Sequence, residues 1–129
     1  MASVNRTAIL ERLKHSIQLL ACPADVQLRT LPDFVCKADE LALDFDHWKD
    51  VVLDNFSSEL TPAQEASLAA INSSLSEMTE AGPPLWTEDS VRQSDQWANT
   101  RVLAATALEA FGWPLEIPPS YADEFARGR

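Results

Sequence analysis

Residues 61–82 read TPAQEASLAAINSSLSEMTEAG. The first four make a helix start. Thr61 can accept a hydrogen bond from a free backbone N–H, Pro62 suits the first helical position, and Gln64 can complete a capping box. Leu68, Ile71, Leu75 and Met78 follow at three- and four-residue spacing, so they share one side of a helix over 62–80. Gly82-Pro83-Pro84 ends that helix.

The same period recurs upstream. Ile9, Leu10, Leu13, Ile17 and Leu20 predict a helix over 4–21, with Glu11, Lys14, His15 and Gln18 on its other side and Pro23 as its stop. Residues 23–43 read two ways. Leu41, Leu43 and Phe45 alternate as in a strand, whereas Leu41, Phe45, Trp48 and Val52 fit a helix. A loop leading into a helix over 39–56 is the expectation.

Downstream, Trp86 and Val91 stand at hydrophobic-staple positions around Thr87, and Glu88 and Asp89 suit the positive end of a helix dipole. A helix over 88–111 is expected. Val91, Ala98, Val102, Ala105 and Leu108 form its core stripe, widened by Trp97, Ala104 and Phe111. Gly112 fits a left-handed end, with Trp113 folding back onto Leu108 as in a Schellman motif. Ser120 and Asp123 suggest a short last helix near 120–127. The expected fold is all-α, a small bundle of four main helices in a single domain over 1–129.

Composition agrees. The chain has 129 residues, 46% of them hydrophobic, with a net charge of -10. That suits one folded domain, and no apolar run is long enough to cross a membrane. The acidity argues against direct nucleic-acid binding, which needs a basic footprint. Three glycines exclude a glycine-cradled phosphate site. Charges at Glu11, Arg12 and Lys14 interrupt any secretory signal in the first 22 residues, so a cytoplasmic protein is expected. Cys22 and Cys36 are too few for a disulfide scaffold or a zinc site and read as two reduced thiols.

Catalytic chemistry finds little support. His15 and His47 both fall away from the apolar stripes and are expected to face solvent. There is no G-x-S-x-G elbow, and neither cysteine has a histidine beside it. Asp44, Asp46, His47 and Asp50 could hold a metal, which would make a small metal-dependent hydrolase the alternative. The main reading is a protein that is not an enzyme and needs no cofactor.

Charge placement is the most informative pattern. Residues 23–60 carry nine acidic and three basic side chains, and residues 61–100 carry six and one. Asp46, Asp50 and Asp54 form a ladder at i, i+4 and i+8, a spacing at which like charges oppose helix formation. Asp39, Glu40 and Asp44 extend it, and Glu77, Glu80, Glu88 and Asp89 make a second group. A solvated acidic surface would keep the protein soluble. The sharper reading is a docking face for a basic protein, with fast, steered association. Trp97, at the edge of its stripe beside Gln93, Asn99 and Arg101, is either a partner anchor or partly buried. If hydrophobic contacts of that kind dominate, the protein reads instead as an adaptor subunit of a larger assembly.

In size, charge and helical make-up the chain resembles the small acidic immunity proteins of bacterial toxin systems. Residues 85–113, LWTEDSVRQSDQWANTRVLAATALEAFGW, have the cadence of their long amphipathic helices. The resemblance implies an inhibitor that holds a basic partner, such as a toxin or a nucleic-acid-processing enzyme whose active site is positive. It assigns no residues. The charge argument alone predicts that reversing Asp46, Asp50 and Asp54 to Lys slows association and leaves folding intact.

Overall fold

A computed structural model describes residues 5–119. It is all-α, with no strand among the described residues. The helices are α1 (Arg6–Ala21), α2 (Ala24–Thr30), α3 (Lys37–Phe56), α4 (Pro62–Ala81), α5 (Glu88–Gln93) and α6 (Asp95–Phe111), with short 3-10 turns at Ser57–Glu59 and Pro83–Leu85. The expected helix near 120–127 lies outside the described residues.

Each boundary has a local cause. Thr61 and Gln64 form the full capping box, Gln64 N donating to Thr61 Oγ1 at 3.1 Å and Thr61 N to Gln64 Oε1 at 3.0 Å. Thr87 Oγ1 accepts from Ser90 N and starts α5. At the end of α6, Gly112 takes φ +71°, Gly112 N donates to Glu109 O, and Trp113 N donates to Leu108 O at 2.9 Å. Those two bonds are the Schellman motif that Gly112 suggests.

The expected helix over 88–111 is two helices. Ser94 is extended and its Oγ accepts from Trp97 N, so the serine caps a new helix and does not continue the old one. The break resets the helical phase. Trp97, Thr100, Ala104, Ala107 and Leu108 face the core, while Ala98 is exposed and Val102 is 63% exposed. The expected stripe carried the phase of Val91 across Ser94, so it placed Leu108, Trp97 and Ala104 correctly but put Ala98 and Val102 in the core and left out Thr100 and Ala107.

The second difference is α2. Seven residues between two prolines are too short to show a period, yet Val26, Gln27 and Leu28 are buried. Gln27 explains why this segment is helical and where it sits. Its Nε2 donates to Leu19 O at 3.1 Å and to Leu20 O at 3.0 Å. Both carbonyls lie in the last turn of α1, where Cys22 N reaches Gln18 O and Leu19 O but not Leu20 O. Its Oε1 accepts from Arg101 Nη1 on α6, and Arg101 Nη1 also donates to Val91 O on α5. One buried amide therefore joins four helices.

α1 lies between α3 and α6, and α4 packs on the far side of α6. Small residues make the last contact close: Ser67 and Ser74 of α4 are buried, as are Thr100, Ala104 and Ala107 of α6. The Ser74 and Thr100 hydroxyls meet at 2.8 Å, and Gln64 Nε2 donates to Ala110 O. Being flanked on both sides, α1 buries a wider arc than its stripe implies. Gln18 is buried and donates to Pro114 O, and the His15 side chain is only 12% exposed, with Nε2 3.1 Å from Glu11 Oε1. Neither faces solvent as the periodicity suggested.

Two substitutions test this frame. Gln27→Ala removes the amide that bonds the Leu20 carbonyl, and one of the partners of Leu19 O and of the Arg101 guanidinium, and should lower the unfolding free energy by about 2 kcal/mol in a urea titration. Gly112→Val meets no neighbouring atom but forces a β-branched residue to positive φ. It should cost roughly 1 kcal/mol or more, read by the same titration.

Candidate functional site

α3 is fastened from behind by α1, and α4 by α6. The two helices run antiparallel from the turn at Ser57–Glu59, but α3 and α4 touch sparsely. A buried clip joins them midway: Lys49 Nζ donates to Asn72 Oδ1 at 2.9 Å. Beyond that clip the helices part and leave a groove of about 740 Å³. Asp39, Ala42, Leu43 and Asp46 line it from α3, and Asn72, Leu75, Ser76 and Thr79 from α4. Gly82, Pro83 and Trp86 close its far end. Along α3 the lining spans two helical turns, about 10 Å.

The groove has an apolar floor and acidic edges. Leu75 is buried and Trp86 half-buried, its Nε1 donating to Met78 O and its ring set edge-on to Trp97 at 5.5 Å. Leu43, on the α3 edge, is 58% exposed, one of five large hydrophobic residues among the described ones that stand out in solvent. Asp39 and Asp46 are exposed on the same edge, and among the described residues no basic side chain lines the groove itself, although Lys49 at its end pairs with Asp46. The last turn of α4 also carries no basic residue, and Glu77 and Glu80 are exposed near it. The negative end of the α4 dipole therefore adds to the acidic field.

The acidic residues divide sharply. Asp46, Asp50 and Asp54 are exposed as the ladder requires. Lys49 lies between the first two, with its Nζ 2.9 Å from Asp46 Oδ1 and 2.9 Å from Asp50 Oδ1. The sequence reading overlooked this residue because it lies inside the ladder. Burial disfavours its charge, but hydrogen bonds to Asp50 and Asp46, with their charges, outweigh that and raise its pKa. Glu40 and Asp44 are buried and are not part of the acidic surface. α3 packs on α1 along a stripe wider than Leu41, Phe45, Trp48 and Val52, and both acids fall within it. Glu88 and Asp89 are exposed but lie 3.9 Å and 3.4 Å from the Arg92 guanidinium, which offsets them.

Trp97 is fully buried, its indole N–H donating to Leu85 O at 2.7 Å. It is a core residue and offers no surface to a partner. His47 is exposed, edge-on to Trp48, while Asp44 is buried. No three His, Cys, Asp or Glu among the described residues are placed to hold a metal ion. Cys22 is buried and Cys36 exposed, both unpaired, and burial pushes the Cys22 thiol up against the opposing charge of Arg29. No helix of the described residues is long and apolar enough to cross a membrane.

The groove itself escaped the sequence reading. Its one legible trace is Leu43, a leucine off the helical stripe, which reads as strand alternation when taken alone. Compared with known proteins, the chain matches no family model, no curated protein and no solved structure.

The expectation that reversing the whole ladder leaves folding intact needs correction. Asp46→Lys with Asp50→Lys strips Lys49 of both carboxylates and adds two cations beside it. The pair should lose about 1–3 kcal/mol of stability at neutral pH, toward the low end because both carboxylates are half-exposed. Asp54→Lys alone should stay within about 0.5 kcal/mol. A raised lysine pKa contributes stability that is fully present below its ordinary 10.5 and is lost as pH rises through the folded value. Urea titrations from neutral to alkaline pH should show the gap between wild type and the double variant narrowing above 10.5.

Proposed function

We propose that this protein is an acidic binding module that docks and restrains a basic protein partner, in the manner of an immunity protein, and that it is not itself an enzyme. The single observation that carries the reading is the exposed negative edge along Asp39, Asp54, Glu77 and Glu80, with Asp46 paired to Lys49 in its midst, beside exposed apolar surface. On its other side α3 is balanced. Arg12 lies over the Trp48 ring at 5.5 Å, and Arg6 pairs with Glu59 and covers Phe56. Arg6 and Arg12 thus lie toward α3 and the turn after it, Lys14 pairs with Glu11 on α1 itself, and the α4 side of α3 is left acidic. Such a field steers a positive partner and disfavours others.

A toxin or nucleic-acid-processing enzyme with a positive active site fits that chemistry, and a bacterial cytoplasm is the setting the reading implies. The adaptor alternative loses its anchor, because Trp97 is buried. The hydrolase alternative loses support, because no three His, Cys, Asp or Glu among the described residues are placed to hold a metal ion.

The test is a low-salt pull-down from source lysate, followed by association kinetics with the captured protein. A basic partner should leave in a salt step, and its association rate should fall at least about tenfold between low and high ionic strength. Asp39→Lys, Asp54→Lys, Glu77→Lys and Glu80→Lys together should lower that rate similarly and leave the fold intact, since Asp46 and Asp50 are spared. Rates insensitive to salt and to these reversals would reduce the acidic edge to a solubility device.

A further inference from the structure

We infer that the α3–α4 groove takes the apolar side of a short basic helix, about two turns of which lie along it with aliphatic residues on Leu75 and Trp86 and lysines or arginines over Asp39 and Asp46. The inference rests on the docking reading above and names where and how the partner is held.

Three observations choose this occupant. The groove is open along its length between two antiparallel helices, the shape that receives an amphipathic helix. Its floor is apolar, and the aliphatic Leu43 stands exposed at the lip instead of folding inward. Its charged lining is acidic only, and the α4 C-terminus points negative potential at the same end. A second copy of this chain would bring a further net charge of -10 to that edge, so self-association is disfavoured. Groups positioned to clamp each end are already in place: the Lys49–Asn72 clip at one and Pro83 with Trp86 at the other.

The probe is a labelled synthetic peptide of about 14 leucine and lysine residues, four turns, with leucines at i, i+3, i+4 and i+7. Its control has the same composition in an order that gives no helical stripe. Fluorescence anisotropy at low salt should show the striped peptide binding at least about tenfold tighter than the control. Ser76 is exposed, so Ser76→Trp fills the groove from its rim without entering the core. Ser76→Trp should weaken the striped peptide about tenfold. Leu43→Gln, which removes only an exposed anchor, should also weaken it. Glu65→Lys with Glu109→Lys, both exposed, changes the net charge away from the groove and the acidic edge and should weaken it much less.

Equal binding of the two peptides, or a striped peptide indifferent to both groove variants, overturns the inference. Salt-labile binding that tracks total charge alone would do so while leaving the acidic docking reading standing. No binding of either peptide also overturns it, and the docking reading is then judged by its own kinetics. Circular dichroism of each variant confirms that lost binding is not lost fold.

Discussion

The bundle depends on what becomes of the carbonyls at the end of α1. Pro23 stops that helix abruptly, and no glycine follows to fold the chain back over its own last turn. Cys22 N reaches back only as far as Gln18 O and Leu19 O, so the Leu20 carbonyl is met by the Gln27 amide from the next helix, which also bonds Leu19 O. Its oxygen is held in turn by Arg101, a guanidinium whose partial burial lowers its pKa. Leaving any of these groups without a partner in the interior costs more than the bond contributes when made. The amide thus dictates where α2 lies, and through Arg101 it sets α5 and α6 against α1.

The geometry of the outer helices follows. With α1 and α6 locked together, α3 and α4 are each held by a different inner helix. Nothing requires them to close on one another, and beyond the Lys49–Asn72 clip they do not. The same arrangement sorts the charge. Arg6 and Arg12 of α1 are used against the aromatic rings and Glu59 on one side of α3, so its acidity is left toward α4. Groove and field therefore have one origin in the layering of the helices.

Much of this was legible in residue patterns, and the failures share a cause. The capping box at Thr61, the left-handed Gly112, the stripe of α4 and the all-α architecture are local features, written in neighbouring residues. What could not be read was wherever a distant contact overrides local pattern. The seven residues of α2 owe their helix to Gln27 reaching α1. His15 and Gln18 are covered because α1 has neighbours on two sides, which no single-helix period shows. The stripe of α6 was partly misplaced because one serine hydroxyl caps a new helix there. Trp97, read at the edge of that stripe as an anchor or a partly buried residue, is fully buried. Of the candidate acids, those on the outer side of α3 and at the end of α4 were placed correctly, whereas Glu40 and Asp44 needed the third dimension.

Asp46 belongs to two parts of the molecule at once. It lines the groove and it also satisfies the ammonium of Lys49, which ties α3 to α4. A change there disturbs the fold whatever the protein binds. Asp39 and Leu43 line the same groove without being part of that clip. Under the proposed reading, divergence of partner preference among descendants of this protein would accumulate at those two positions first, around an aspartate that cannot follow.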